Sequence, residues 1–280
     1  MCGVLGICFN KGHLVSGKEH QITLLLKSLF KETEVRGRVA TGIAAMTNKR
    51  LLYMKKKTPA RSFIEAKEFE NFMKEVLLLD RNKDEYLYSI IGHCRLDTKG
   101  TPDDNVNNHP IVTENIVGIH NGNISNDEEL YERFLKAGIK RKGRVDSEVI
   151  FQLVDLMYNK YLILDKTEEN PTAKAIKSVC RRLKGYYVCA MMNKNEPDRL
   201  YLFRDTNNSL TVAYLKKQGI VTFCSSKRAM EISFYDSFGY SMSDKYAEEI
   251  HTEQDTVLTI DMEENLLKNE ISYEKATHSV

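Results

Sequence analysis

Four strand-type segments follow one another in the second half of the chain with no helix between them. They are YYVCAMM (186–192), RLYLFRD (199–205), LTVAYL (210–215) and IVTFCS (220–225). Parallel neighbours need a crossover of about a dozen residues or more, usually a helix. Short connections between consecutive strands therefore predict an antiparallel sheet in this half of the chain.

The other strand-type and helix-type segments are interleaved irregularly, without the βαβα alternation of a doubly wound fold. The patterns predict strands over 2–9, 41–47, 50–55, 86–95, 115–122 and 256–261. They predict helices over 19–32, 65–79, 126–138, 146–161, 172–184 and directly after Ser226. We therefore expect an α+β protein with one domain over 1–267 and a loose polar tail over 268–280.

Composition excludes several classes of function. The formal net charge is +2, and 42% of the residues are hydrophobic, so neither nucleic acid nor a membrane is an expected partner. No apolar run approaches the roughly 20 residues of a membrane span, and the N-terminus does not resemble a signal peptide. We expect a cytoplasmic protein with reduced thiols. Oligomeric state is left open.

Motifs for nucleotide binding, serine hydrolysis and metal binding are missing from the sequence. There is no GxxxxGK[ST] loop, no GxGxxG after a strand and no GxSxG elbow. The six cysteines include no CxxC pair, and no His/Cys cluster has zinc-ligand spacing. We therefore expect neither a metal nor another cofactor.

The first ten residues, MCGVLGICFN, place Cys2 directly behind the initiator methionine. Met1 is normally removed before a small residue, which would give Cys2 a free α-amino group. That amine has a pKa of about 7.7–8.0, so it can act as the general base for its own thiol. A buried strand cysteine without a catalytic role is the alternative.

Three polar stretches stand at the ends of predicted elements. Arg95 ends the strand 86–95, and its planar fork suits a carboxylate, although a surface arginine fits the position equally well. Asn121 and Gly122 form a pair of donors suited to an oxyanion, or a plain Asn-Gly turn. Asp146 begins a helix, either as an N-cap or as a carboxylate aimed at an ammonium group. Together with Cys2, these groups would bind a free amino acid and attack its side-chain amide.

The motifs that contain these residues resemble those of the class II glutamine amidotransferases. This family includes the glutaminase domains of glutamine:fructose-6-phosphate amidotransferase, phosphoribosylpyrophosphate amidotransferase and asparagine synthetase. The similar segments are MCGVLG (1–6), VRGRVATGIA (35–44), GHCRLDTKG (92–100), NNHP (107–110), HNGNISN (120–126), VDSEV (145–149) and LKGYYVCAMM (183–192). NNHP corresponds to a family pattern N.HP, in which the second position is open.

The resemblance implies a four-layer αββα sandwich of N-terminal-nucleophile hydrolase type with two mainly antiparallel sheets. It implies a Cys2 nucleophile that forms a glutamyl-thioester, and an oxyanion hole at Asn121 and Gly122. The implied glutamine-binding residues are Arg95, Thr98, His109 and Asp146, and the implied supporting loop contains Arg36 and Gly37.

The chain ends soon after such a domain would be complete. We therefore expect a stand-alone glutaminase that binds L-glutamine and supplies ammonia to a separate synthase subunit. Two alternatives remain open at this point. One is a hydrolase of the same fold that acts on a larger γ-glutamyl amide, and the other is a catalytically silent binding subunit.

Overall fold

The computed structural model describes residues 2–10, 17–77, 84–136, 138–164, 170–205, 208–243, 245–263 and the backbone of 268–272. Its helices are α1 (Glu19–Thr33), α2 (Ala60–Glu65), α3 (Lys67–Leu77), α4 (Asp127–Lys136), α5 (Ser147–Leu164), α6 (Pro171–Cys180) and α7 (Lys227–Phe238). The start of α7 is capped by Ser226, whose hydroxyl accepts the Ala229 N–H.

Thirteen strands form two sheets in the described part of the chain. They are β1 (Gly3–Phe9), β2 (Ala40–Thr47), β3 (Leu51–Lys56), β4 (Leu87–Arg95), β5 (Ile111–Val112), β6 (Ile116–Ile124), β7 (Gly185–Asn193), β8 (Glu196–Arg204), β9 (Thr211–Leu215), β10 (Ile220–Cys224), β11 (Ala247–Ile250), β12 (Thr256–Asp261) and β13 (Lys268–Ser272). The first sheet has the order β11-β9-β10-β1-β4-β2-β3, and the second has the order β13-β12-β8-β7-β6-β5.

Every strand pair in both sheets is antiparallel. The antiparallel prediction for residues 186–225 is therefore confirmed, although β7 and β8 lie in the second sheet while β9 and β10 lie in the first. The reason is that an apolar pattern indicates that a strand is buried and a short connection indicates an antiparallel neighbour, but neither specifies which sheet the strand joins.

Three hydrophobic cores separate four layers. Helices α1, α2, α3 and α7 cover the outer face of the first sheet, and α5 and α6 cover the outer face of the second. A third core fills the space between the two sheets. Side chains alternate between faces along each strand, so Leu5 and Ile7 of β1 face α1 while Val4 and Cys8 face the other sheet. This is the αββα sandwich that the resemblance implies.

Several predicted boundaries are wrong. The strand 115–122 does not end in a turn, because β6 continues to Ile124 and pairs with β7 throughout. Helix α2 and strands β5 and β11 were not predicted, since each is too short to repeat a hydrophobic pattern clearly. The second sheet also passes the predicted domain boundary at residue 267, because β13 pairs with β12 where we expected a loose tail.

Within the described residues, no helix is both long enough and apolar enough to cross a membrane.

Candidate active site

One end of the space between the sheets is polar. In β4, Ile91 packs in the core between the sheets, so His93 and Arg95 continue the same face. In β6, Val117 and Ile119 do the same, which places Asn121 on that face. Cys2 continues the series of Val4 and Cys8 towards the start of β1. Since β1 and β4 are antiparallel and Gly3 pairs with Cys94, Cys2 and Arg95 meet at the same end of the sandwich.

Cys2 is buried, and its sulfur accepts a hydrogen bond from the Leu96 N–H at 3.3 Å. Its carbonyl accepts the Arg36 Nε–H at 3.0 Å, which fixes the main chain beside the thiol. Burial raises the pKa of the thiol, and the Leu96 N–H and the charge of Arg95 offset this only in part. The thiol is therefore protonated at neutral pH and needs a base to become a nucleophile.

The guanidinium of Arg95 is held on two of its nitrogens. Nη1 donates to Asn108 Oδ1 at 2.6 Å, and Nη2 donates to the carbonyls of Lys99 at 2.8 Å and Gly100 at 2.5 Å. These contacts leave the Nε–H and the second Nη1–H for another acceptor. Arg95 is 2% exposed, so the prediction of a surface arginine is excluded.

Asn121 is fully buried, and neither its Nδ2 nor its Oδ1 has a hydrogen-bond partner among the described residues. Buried polar atoms are almost always paired. An unpaired amide at the polar end of the space between the sheets therefore indicates a ligand-binding function.

Gly122 follows in the same strand with a φ of +154°, a conformation that glycine adopts readily. A Cβ at this position would lie 2.0 Å from the carbonyl oxygen of Tyr186. The carbonyl of His120 accepts from His93, and the Ile124 N–H donates to Asp146, so even-numbered residues of β6 direct their peptide groups away from β7. The Gly122 N–H points to that same side.

Asp146 lies directly before α5 and is buried. Its Oδ2 accepts the Ile124 N–H at 2.7 Å, so this oxygen links the start of α5 to β6. The negative charge of Asp146 raises the pKa of Cys2 and also contributes to the electrostatics of Arg95. The carboxylate therefore lies near both groups, as a substrate-binding role would require.

His109 lies behind these groups and is buried, with its ring centroid 4.1 Å from that of His93. Neither ring nitrogen of His109 has a partner among the described residues. Burial lowers the pKa of His109 well below its usual value and lowers that of His93 to about 3. Both rings are therefore neutral. Gly42 makes room for this segment, because a Cβ there would meet the His109 carbonyl oxygen at 2.0 Å.

The remaining predicted residues lie on either side of Arg95. Thr98 is exposed in the loop after β4, and no hydrogen bond from its side chain is described. Gly37 packs against the end of β4, where a Cβ would lie 2.3 Å from the carbonyl carbon of Arg95. Arg36 holds the Cys2 carbonyl. The structure thus places Arg36 beside Cys2, Gly37 beside Arg95 and Thr98 at the solvent side.

Sequence reasoning missed three groups that shape this end of the sandwich: the Leu96 N–H, the Asn108 side chain and the Lys55 amine. Lys55 Nζ donates to the carbonyls of Asn108 at 2.7 Å and Pro110 at 3.0 Å. Burial lowers the pKa of Lys55 to about 8. Two of these contacts involve the main chain, so no residue type in the sequence signals them. Asn108 was visible in NNHP, but it occupies the open position of the family pattern.

No cluster of three or more His, Cys, Asp or Glu side chains that could hold a metal ion occurs in the described part of the chain.

Comparison with solved structures identifies the class of fold. The glutamine phosphoribosylpyrophosphate amidotransferase from B. subtilis, complexed with ADP and GMP, aligns over 93% of this chain and 47% of its own, with a TM-score of 0.59 and 19% identity. A glutamine aminotransferase class-II domain protein from Silicibacter pomeroyi aligns over 98% of this chain and 99% of its own, with a TM-score of 0.51 and 14% identity. The fold is that of the N-terminal-nucleophile hydrolases.

Sequence comparison gives the family. Residues 93–231 match the glutamine amidotransferase domain. The glutamine–fructose-6-phosphate aminotransferase (isomerizing) of Fusobacterium nucleatum subsp. nucleatum is 30% identical over 207 residues, which cover 73% of this chain and 29% of that relative. The chain therefore carries a class II glutamine amidotransferase domain. It spans less than a third of the length of this relative.

Proposed function

We propose that this protein hydrolyses the side-chain amide of L-glutamine with Cys2 as the nucleophile. The observation that carries the proposal is the convergence of Cys2, Arg95 and Asn121 at one end of the space between the sheets, with the Asn121 amide unpaired. A nucleophile, a carboxylate binder and an oxyanion donor are the parts that amide hydrolysis of an amino acid requires.

The proposed steps use the groups that lie at this end of the sandwich. Removal of Met1 gives Cys2 an α-amino group whose ordinary pKa, about 7.7–8.0, suits a general base. The amine takes the thiol proton, and the sulfur attacks the amide carbon of glutamine. Asn121 Nδ2 and the Gly122 N–H stabilise the oxyanion. Ammonia leaves with a proton from the ammonium group, and water hydrolyses the glutamyl-thioester to glutamate.

Substrate binding uses the charged groups at the rim. Arg95 has an Nε–H and an Nη1–H left for the α-carboxylate of glutamine. Asp146 binds the α-ammonium group through the oxygen that does not accept from Ile124. His109 supports the site as a neutral ring that lies against His93. Thr98 helps to bind glutamine from the exposed loop after β4. Arg36 holds the main chain of Cys2, and Gly37 packs against that of Arg95.

We further propose that the chain acts as a stand-alone glutaminase subunit that supplies ammonia to a separate synthase. The Silicibacter pomeroyi structure supports this, because a chain of similar extent has the same fold. The Fusobacterium relative, an aminotransferase of fructose 6-phosphate by name, supports ammonia transfer as the purpose of the domain.

The test is a glutamate-release assay on protein expressed without an N-terminal tag, with intact mass measured in parallel. We expect a mass lower by one methionine, glutamate formed from glutamine, and labelling of residue 2 by the glutamine analogue DON. If a substituted γ-glutamyl amide reacts faster than glutamine, that amide and not glutamine is the substrate. Retention of Met1 with no turnover and no labelling would show a silent subunit and overturn the proposal.

A further inference from the structure

Asn108 makes a contact that the proposed mechanism does not use. Its Oδ1 accepts a 2.6 Å hydrogen bond from Arg95 Nη1. We propose that Asn108 is a positioning residue, which orients the Arg95 guanidinium so that its free N–H groups meet the carboxylate of the substrate. This inference rests on the proposed function, since it concerns the same site.

The Arg95 guanidinium donates to three acceptors from two of its nitrogens. The carbonyls of Lys99 and Gly100 both bind Nη2. Contacts at a single nitrogen leave the guanidinium plane free to pivot about that point. The bond from Nη1 to Asn108 adds a second anchor, and two anchors define the plane of the fork and therefore the direction of its remaining donors.

Asn108 is itself held in place by its neighbours. The residue is 1% exposed, and its Nδ2 donates to the Pro102 carbonyl at 2.9 Å and to Asn105 Oδ1 at 3.1 Å. Lys55 Nζ holds the Asn108 carbonyl at 2.7 Å. An acceptor that is fixed on both its side chain and its main chain can orient a flexible arginine at little further entropic cost.

The contacts at position 108 suit an asparagine side chain. The position requires one acceptor towards a cation and two donors towards oxygens, which an asparagine amide provides. Aspartate would place acceptor oxygens against the Pro102 carbonyl and would neutralise the charge of Arg95. Leucine or alanine would leave the Arg95 N–H and the Pro102 carbonyl without their partner. Position 108 is open in the N.HP pattern, so this contact is a property of the chain and not of the motif.

The experiment compares Asn108→Ala with the wild type. We expect the KM for glutamine to rise about tenfold and kcat to change less than twofold, because the variant loses carboxylate orientation but keeps the nucleophile and the oxyanion donors. DON, which carries the amino-acid carboxylate, should alkylate Cys2 about tenfold more slowly. Iodoacetamide, which lacks a carboxylate, should alkylate Cys2 at the wild-type rate.

Asn193→Ala is the matched control. Asn193 is also a fully buried asparagine, with an Nδ2 that donates to Thr172 Oγ1 and an Oδ1 that accepts the Asn195 N–H. It ends β7 at the opposite end of the strand from Tyr186. This variant should lose stability as Asn108→Ala does and keep the wild-type KM and DON rate.

A double-mutant cycle with Arg95→Met separates positioning from general loss of structure. If Asn108 acts through Arg95, Asn108→Ala should change the DON rate less than twofold in the Arg95→Met background. An equal tenfold loss in both backgrounds would overturn the inference, as would an unchanged KM in soluble Asn108→Ala.

If Asn108→Ala does not fold, Asn108→Ser provides the test, because serine keeps a hydroxyl acceptor and a donor. Asn108→Ser must then show an intermediate KM, or the inference is wrong. A wild type that reacts with neither glutamine nor DON overturns the proposed function first.

Discussion

Cys8 lies in β1 and Cys2 lies directly before that strand, and the two side chains point to the same side but differ in what surrounds them. Both thiols are buried between the two sheets, and burial raises the pKa of both. Cys8 is packed in the apolar core between the sheets. Cys2 instead accepts the Leu96 N–H and lies within the electrostatic reach of Arg95 and Asp146.

These two positions show where a sandwich of this kind can hold a reactive group. In the middle of the space between the sheets, both walls are strand faces, whose peptide groups pair within their own sheets and leave only side chains to meet Cys8. At the end, the strands pass into loops, and loop N–H groups and charged side chains can reach a thiol. The same residue type is therefore a packing element in one place and a candidate nucleophile in the other.

Alanine substitution of the two cysteines should give the largest contrast. Cys2→Ala should lower glutamate release at least about 10³-fold, because no other group described at the site can form the thioester. Cys8→Ala should keep the activity within about twofold and lower the free energy of unfolding by about 1–2 kcal/mol through a small cavity. Glutamate assays and urea unfolding measure both. Comparable activity losses in the two variants would contradict the assignment.

Asn121→Ala should give the next largest effect. Loss of an oxyanion donor lowers kcat by about 10²–10³-fold. Stability should stay level or rise slightly, because the variant removes a buried amide that has no partner among the described residues. Steady-state kinetics and the thermal midpoint test the two statements together. A clear fall in the midpoint with a preserved kcat would show that Asn121 has a structural role.

Acid should destabilise the polar end of the sandwich, with a smaller effect. The folded protein holds His93 with a pKa of about 3, whereas an unfolded histidine titrates near 6.5. Below about pH 6.5 the unfolded state therefore binds more protons, and stability falls as the pH decreases from 6.5 towards 3. At pH 5.5 the expected loss of stability from His93 is on the order of 1 kcal/mol.

Urea unfolding at pH 7.5 and pH 5.5 measures this loss. His109→Phe provides a comparison, because burial also lowers the pKa of His109 and its ring nitrogens are unpaired among the described residues. The variant should lose less stability between the two pH values than the wild type. Equal losses in both proteins would exclude His109 as a contributor.

Much of the site was visible in the sequence because its residues stand in short motifs at strand ends. Arg95, Asn121 and Asp146 are each predicted from such a position, and the structure brings their elements together. The local structure was harder to predict. HNG has the composition of a turn, but Gly122 lies in β6, where β7 approaches so closely that only glycine fits.

Most of the strand and helix pattern, and the set of groups available for chemistry, could be read from the amino-acid sequence alone. These follow from hydrophobic periodicity and residue type, which are local properties. The assignment of strands to sheets appears only in the packed fold, which also brings the Leu96 N–H to Cys2 and Asn108 to Arg95. Such contacts join distant segments or use main-chain groups that every residue carries, so only the packed fold selects them.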